Sequence, residues 1–168
     1  MRAVLALVMS LALTAPALAD WLPFKDPDGH FTIDMPGQPT VSEDTTKNPA
    51  DGSPVGMHEY VVDRGDVAFI IIISDLSKYP DADPGKVLDG AVEGGKQGNT
   101  VVSDGFLNLD GQVGRAVVML DKDQNRINNH VFFVKNILFQ VMVATGPQAT
   151  DAMLADGRRF HDSFHFTK

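Results

Sequence analysis

The chain contains no cysteine. This absence excludes disulfides, thiolate metal sites, cysteine nucleophiles and lipid attachment through cysteine. Basic residues are also few, since 14 Lys and Arg face 22 Asp and Glu and give a formal net charge of −8 over 168 residues. Phosphate contacts need clustered Lys and Arg, so this balance argues against nucleic-acid binding. The hydrophobic content of 43% is sufficient for a packed core, and the length suits one domain.

Recognisable catalytic motifs are absent too. The sequence contains no Gly-x-Ser-x-Gly elbow, Ser-x-x-Lys, His-Glu-x-x-His or P-loop pattern. Ser74 alone among the serines has a position that resembles a nucleophile at the end of a sheet strand, and a polar strand terminator is the commoner reason for such a residue. Gly111 and Gly114 are too close together for a dinucleotide fingerprint. We expect no enzyme and no cofactor, since catalysis would need a constellation that assembles only in three dimensions.

Residues 1–19 have the features of a secretory signal peptide. Arg2 supplies a positive charge, residues 3–15 are almost entirely apolar, and residues 17–19 (Ala-Leu-Ala) match the small-x-small pattern of signal peptidase. A spanning helix needs about 20 apolar residues, and this run is shorter and is ended by Pro16. The sequence therefore predicts cleavage after the last of these alanines and a periplasmic or secreted location.

The remaining chain, residues 20–168, is predicted to be one soluble domain. Removal of the signal peptide takes away one arginine and no acidic residue, which leaves 13 basic and 22 acidic residues and a net charge of −9. We identify no internal repeat, no domain linker, no later transmembrane segment and no cysteine for a lipid anchor. An exported domain without disulfides must be held together by its core alone.

Hydrophobic periodicity predicts a chain rich in antiparallel strands. Asp110-Gly111 is a strong signal for a two-residue hairpin, and polar residues at 121–125 and 135–136 supply two more turns. Four consecutive strands joined by short turns form an antiparallel meander. The predicted strands of this meander span residues 100–109, 113–120, 126–134 and 137–144.

Two helices are predicted outside the meander. Asp83 is an N-cap followed by proline, and an apolar stripe continues the helix to the glycines at 94–98. Thr150 caps a second helix, in which Gly157 lies on the apolar stripe and permits close packing on a sheet. The order of elements is β, ββ, α, ββββ, α. The fold class is therefore α+β, an antiparallel sheet between two packed helices.

Three segments before the first helix are also informative. Residues 55–62 alternate between polar and apolar and predict a strand. Residues 67–73 are continuously apolar, which predicts a strand that is central in a sheet covered on both sides. Residues 38–54 are polar with three prolines and predict a loop or an edge excursion.

Two patterns resemble metal sites, and neither is complete. His161 and His165 are four apart, but the second helix is predicted to end between them and no third ligand is apparent. Asp26-x-Asp28-Gly29 resembles the start of a calcium loop, but Met35 follows where oxygen ligands should continue. A polar helix end and a turn are the simpler interpretations, so we expect no metal site.

Arg115 is the most informative charged residue. It lies among valines and a methionine on one predicted strand face, where it must find a carboxylate or extend to solvent. Glu59 is the natural type of partner, because it too lies on an otherwise apolar strand face. An internal ion pair is one hypothesis. The other is a small-ligand cleft near Arg115, Glu59 and His58.

The sequence resembles the PsbP-like superfamily, which includes photosystem II subunit P, Mog-type and DcrB-type domains. The motifs that carry the resemblance are Phe24…Asp28-Gly29-x-Phe31-Thr32-Ile33-x-Met35-Pro36-Gly37-x-Pro39, Leu109-Asp110-Gly111-x-x-Gly114-Arg115, residues 131–141, Gly146-Pro147 and Phe160-x-x-Ser163-Phe164. The resemblance implies an antiparallel sheet between helices. It also implies a mostly non-enzymatic accessory or binding role, and it assigns no functional residue.

Three functional hypotheses follow from these observations. The first is an exported, soluble, non-enzymatic accessory or protein-interaction module of the bacterial envelope, whose partner is an unknown envelope protein. The second is a periplasmic small-ligand or metal-binding protein. The third is an enzyme whose site the sequence does not reveal.

Overall fold

The computed structural model describes residues 21–48 and 52–167. The predicted signal peptide lies outside the described residues. The described chain forms ten strands and two helices, which are β1 (Leu22–Lys25), β2 (Phe31–Met35), β3 (Thr40–Lys47), β4 (Pro54–Asp63), β5 (Val67–Asp75), α1 (Pro84–Lys96), β6 (Thr100–Leu109), β7 (Gln112–Leu120), β8 (Arg126–Val134), β9 (Ile137–Thr145), α2 (Asp151–Ser163) and β10 (His165–Phe166).

The strands form two antiparallel sheets. The large sheet has seven strands in the order β3-β4-β5-β9-β8-β7-β6, and the small sheet has the order β1-β2-β10. The predicted α+β class and the four-stranded meander are confirmed, with strand bounds that differ by at most one residue. The small sheet was not predicted. The polar segment at 38–54 contains β3, which is an edge strand of the large sheet.

Local sequence explains the turns and helix starts. Asp110 and Gly111 have φ values of 53° and 80°, as a type I′ turn requires, and Lys135 and Asn136 form a second turn of this kind. The carboxylate of Asp83 accepts a hydrogen bond from the backbone of Lys86 and caps α1. The hydroxyl of Thr150 caps α2 in the same way.

The two helices pack on opposite faces of the large sheet. Val131 and Phe132 are neighbours in β8 and therefore point to opposite sides. Val131 packs in a cluster with Val87 of α1, whereas Phe132 packs in a cluster with Phe160 of α2. We call the two sides the α1 face and the α2 face. The small sheet lies on the α2 face, where β2 contacts α2.

The prediction that both sides of β5 are buried is wrong for the α1 face. Side chains on the α2 face are at most 4% exposed, while those on the α1 face are partly exposed. The first set comprises Val67, Phe69, Ile71 and Ile73, and the second comprises Ala68, Ile70 and Ile72. The reason is the position of α1, which packs on β7 and β8.

Glycine permits close packing at two positions on the α2 face. A Cβ atom at Gly157 of α2 would lie 3.1 Å from Val143 Cγ1, which confirms the predicted close approach of this helix to the sheet. A Cβ atom at Gly114 of β7 would lie 2.4 Å from the carbonyl oxygen of Val131 and 2.5 Å from the Phe132 ring. Packing therefore requires glycine at position 114, whereas a side chain at position 157 would have to displace Val143 by a few tenths of an ångström.

Candidate functional site

Arg115 lies on the α1 face of β7 and is held by two carboxylates. Its Nη2 atom is 2.6 Å from Oδ1 of Asp104 on β6, and its Nη1 atom is 2.8 Å from Oδ1 of Asp89 on α1. Asp104 also binds Lys96 Nζ at 2.9 Å. The hydrogen bonds from Arg115 and then Lys96 lower the pKa of Asp104, and Asp104 raises the pKa of Arg115. The guanidinium thus ties together β6, β7 and α1, and its charge is already balanced.

The predicted pairing of Arg115 with Glu59 is wrong, although both residues lie on the α1 face. The strand registers place them in one row across the sheet, Glu59–Ile72–Gln140–Val131–Arg115. Four strand spacings of about 4.8 Å put roughly 19 Å between their backbones. Alternation along a strand indicates which face a residue occupies, but it does not indicate the order of strands in the sheet.

Glu59 and His58 have separate local contacts on β4. Glu59 accepts a hydrogen bond from the hydroxyl of Ser42 at 3.2 Å. His58 points to the opposite face from its neighbour, and its Nδ1 atom is 3.7 Å from Oε1 of Glu43. The three candidates Arg115, Glu59 and His58 therefore do not line one cleft.

Asp26 is a buried carboxylate in the turn before β2. It is 2% exposed, its Oδ1 accepts a hydrogen bond from the Tyr60 hydroxyl at 2.8 Å, and its Oδ2 lies 2.7 Å from His30 Nδ1. Burial and then the bond to Asp26 raise the pKa of Tyr60. Potential ligand atoms of Asp26, Asp28 and His30 lie within 4.8 Å of one another. Both oxygens of Asp26 are already engaged, Oδ1 with Tyr60 of β4 and Oδ2 with His30 within the turn, which supports its interpretation as a structural turn.

The histidines at 161 and 165 make unrelated contacts. The His161 ring stacks on His130 of β8 with the ring centroids 3.9 Å apart, and its Nε2 atom donates to the carbonyl of Val141 at 3.1 Å. His165 instead faces Asp110, at 3.2 Å. Burial, followed by His130, lowers the pKa of His161 to about 3. Burial also lowers the pKa of His130, against the opposing effect of Asp162.

One surface hollow brings together the residue types of a hydrolase. A hollow of about 450 Å³ beside the small sheet is lined in part by Asp34, Ser163 and His165. The Ser163 hydroxyl donates to the carbonyl of Phe160 at 2.9 Å, and Asp34 Oδ2 is 3.3 Å from Arg159. His165 faces Asp110. In a hydrolase, the serine nucleophile is hydrogen-bonded to its histidine base. The side chains of Ser163, Asp34 and His165 instead bond to Phe160, Arg159 and Asp110.

Exposed apolar side chains are concentrated on the hairpin of β6 and β7. Among the described residues, large hydrophobic side chains that are strongly exposed occur at Leu22, Val41, Val101, Val102, Phe106 and Val113, and the last four lie on this hairpin. Phe106 is 80% exposed, and the Arg115 guanidinium carbon lies 5.2 Å from its ring centre. Phe106 and Val113 are diagonal neighbours on the α1 face. Among the described residues, the hairpin of β6 and β7 therefore holds most of the strongly exposed large apolar side chains.

The two edge strands of the large sheet differ in charge. β3 carries Glu43, Asp44 and Lys47, all exposed. β6 carries one charged residue, Asp104, whose carboxylate is bound by Arg115 and Lys96. Edge strands that avoid pairing with other chains commonly carry exposed charge, so β3 is protected in a way that β6 is not.

Sequence reasoning missed both the β6 surface and the stacked histidines. A signal for the β6 surface was available, because Phe106 directly follows the polar run Ser103-Asp104-Gly105. The structure shows that all four of these residues are exposed. The stack of His130 on His161 had no local signal, since 31 positions separate the two residues and only the docking of α2 brings them together.

No family model and no curated protein matches this chain. The solution structure of cyanobacterial PsbP (CyanoP) from Synechocystis sp. PCC 6803 superposes with a TM-score of 0.57 at 15% identity, over 95% of this chain and 99% of that chain. A crystal structure of a protein of unknown function from Pseudomonas aeruginosa has a TM-score of 0.43 at 12% identity, over 82% of this chain and 88% of that chain. The first likeness shows that the chain has a PsbP-like fold, as the sequence resemblance predicted, and it shows the fold alone.

Proposed function

We propose that the protein is an exported, non-enzymatic accessory module that acts by binding another protein of the bacterial cell envelope. The observation that carries this proposal is a contrast between polar side chains that are bonded within the fold and apolar side chains that are exposed to solvent. Arg115 and Asp26 are engaged in bonds that hold the fold, while Phe106 and Val113 are left exposed on one hairpin. Exposed apolar patches with polar rims are typical of protein-binding surfaces.

Export is supported by the sequence of residues 1–19. We expect one domain over residues 20–168 and no lipid anchor. Neither helix in the described residues is long and apolar enough to cross a bilayer. The test is fractionation followed by intact mass measurement. A periplasmic or secreted chain that begins at Asp20 supports the proposal, and a full-length chain in the cytoplasm contradicts it.

Partner binding is tested by crosslinking in intact cells followed by purification of a tagged chain. The same protein should be recovered in repeated experiments, and it should be absent when an unrelated exported protein carries the tag. Recovery of no reproducible partner would contradict the proposal. Nucleic acid is not expected in the crosslinked material, because the surface is acidic.

The small-ligand or metal-binding alternative is less well supported, because its three candidate residues do not meet and Asp26 is already bonded. Thermal unfolding with and without divalent cations separates the two functions. We expect no shift in Tm with Ca²⁺, Zn²⁺ or Mn²⁺. A saturable rise in Tm that is lost in Asp28→Asn would favour metal binding.

A further inference from the structure

We propose that β6 accepts an extended strand of the partner protein, whose side chains are apolar and basic, as an eighth strand of the large sheet. This inference rests on the proposed function and specifies the surface and chemistry that would carry it. In this mode of recognition, the backbone of the added strand forms hydrogen bonds with the edge of the sheet. The alternate side chains of the added strand determine specificity.

The backbone of β6 is suited to strand addition. β6 is 10 residues long and is the last strand of the sheet order, so among the described residues it pairs with β7 on one side only. Hydrogen bonding alternates along an antiparallel strand, and every second residue of an edge strand therefore directs its N–H and C=O away from the sheet. These groups match an extended backbone. A bulge between Val101 and Ser103 interrupts the pairing with β7, which leaves Ser103–Leu109 as the regular part of the edge.

The side chains of β6 favour apolar contact. Phe106 lies near the middle of the regular segment and is 80% exposed. On an added strand, the residue opposite Phe106 would lie about 5 Å away on the same face. The Arg115 guanidinium lies on the β7 side of the Phe106 ring, with its central carbon 5.2 Å from the ring centre. The other side of the ring is open, so an aliphatic or aromatic side chain of the partner could pack on it.

The charges beside β6 favour a basic strand over a second copy of this chain. Three carboxylates, Asp89, Glu93 and Asp104, lie in one network with only two cations, Arg115 and Lys96. Asp89 and Glu93 are about 70% exposed. A second copy of the exported domain would bring the same acidic network and a further net charge of −9 (13 basic and 22 acidic residues). Lysine or arginine on the partner strand would instead face this acidic flank.

The probe is a labelled peptide with the 10-residue length of β6, in which valine and lysine alternate along one face and threonine fills the other. When this strand pairs with β6, both residue types can lie on the α1 face, where Phe106 and the acidic network are. A valine–glutamate peptide and a valine–lysine peptide with a central proline are the controls. The matched protein variants are Phe106→Lys on β6 and Val41→Lys on β3, since both replace an exposed apolar residue on an edge strand. Phe106→Ser removes the ring without adding charge. Unchanged thermal unfolding of each variant confirms that it is folded.

We expect the valine–lysine peptide to bind the wild type and Val41→Lys with equal affinity. Phe106→Ser should weaken binding by at least about tenfold and Phe106→Lys by more, while both control peptides bind weakly. Binding that is equal in Phe106→Lys and the wild type would overturn the inference. So would preference for the valine–glutamate peptide, or a dimer of the free chain in sedimentation that Phe106→Lys dissociates, since the occupant of β6 would then be a second copy.

The cellular crosslinking experiment separates this inference from the proposed function. If Phe106→Lys loses the partner that Val41→Lys retains, both are supported. If Phe106→Lys retains the partner, the binding function stands and the assignment to β6 is wrong. If the wild type recovers no partner, the proposed function fails, and the peptide measurement alone decides whether β6 accepts a strand.

Discussion

Phe164 and Phe106 lie in two regions of this protein, the α2 face and the edge strand β6, and the same side chain has a different role in each. Phe164 is 1% exposed at the end of α2 and contacts the rings of Phe31, Phe132, Phe139 and Phe166. Phe106 is 80% exposed on β6 and has the Arg115 guanidinium beside its ring. Phe164 therefore contributes to the stability of the core, whereas Phe106 presents an apolar ring to solvent.

The difference extends to the regions around these residues. The α2 face combines an aromatic cluster, two closely packed glycines and a partly buried histidine pair. The aromatic cluster, the close approach at Gly157 and the histidine pair all need α2 in place. The hairpin of β6 and β7 is fastened by ion pairs at its surface and leaves apolar side chains in solvent. We infer that stability is concentrated on the α2 face and recognition at the β6 edge.

Phe164→Ala and Phe106→Ala test this comparison with the largest expected effect. Removal of the buried ring leaves a cavity and should lower the free energy of unfolding by about 3–5 kcal/mol. Removal of the exposed ring should change it by less than about 0.5 kcal/mol. Denaturant unfolding of both variants measures the difference. Equal effects would show that the two regions are not distinct.

Gly114→Ala and Gly105→Ala test close packing on β7 and β6. An added methyl at Gly114 would contact the Val131 carbonyl and the Phe132 ring, whereas nothing lies within 4 Å of a Cβ at Gly105. We expect a loss of about 3 kcal/mol for the first substitution and no loss for the second. Chemical denaturation measures both, and a fully stable Gly114→Ala variant would contradict the packing described for this face.

Acid should weaken the α2 face through His130 and His161. Their pKa values are lowered in the folded protein, that of His161 to about 3. Below the ordinary pKa of about 6.5, the unfolded chain takes up protons that the folded chain does not, so stability is full above this pH and falls beneath it. His161 alone should lower the free energy of unfolding by about 2 kcal/mol between pH 7 and pH 5.

His161→Gln is the control for the pH prediction. Glutamine can still donate to the Val141 carbonyl but does not titrate, so the loss of stability between pH 7 and pH 5 should become smaller. The carboxyl groups of Asp75 and Asp104 have lowered pKa values and so affect stability at more acidic pH. An unchanged pH dependence in His161→Gln would contradict the lowered pKa of His161, because it would show that this histidine takes up a proton as readily in the folded protein as in the unfolded chain.

Arg115→Ala should have a smaller effect on stability than Phe164→Ala or Gly114→Ala. The residue is partly solvated and its partner Asp104 retains Lys96, so we expect a loss of no more than about 1 kcal/mol. Glu59→Gln should have no effect, because among the described residues the Glu59 carboxylate bonds only to the exposed Ser42. Thermal unfolding at low and high salt checks both, and a loss in Glu59→Gln equal to that in Arg115→Ala would contradict the separate locations of the two residues.

Sequence predicted the features that depend on nearby residues. The Asp110-Gly111 turn, the Asp83 and Thr150 caps and the position of Gly157 follow from local chemistry, and they define the meander and both helices. The fold class and the PsbP-like resemblance followed from these features together.

The remaining features depend on the order of strands in space, which local patterns do not contain. Arg115 was assigned to the correct face but to the wrong carboxylate, because β5, β9 and β8 lie between it and Glu59. The two-residue strand β10 pairs with β2, more than 130 positions earlier, and local sequence patterns do not indicate this pairing. The exposed ring of Phe106 is accessible to another chain because β6 is an edge strand, and the position of β6 in the sheet is not encoded in its local sequence.

Amide hydrogen exchange with and without the valine–lysine peptide tests most directly the claim that recognition lies at the β6 edge. We predict that alternate amides in Ser103–Leu109 of β6 exchange more slowly when the peptide is bound, while the amides of β3 and the α2 face do not change. Protection in β3, or exchange in β6 that is unaffected by bound peptide, would contradict the account.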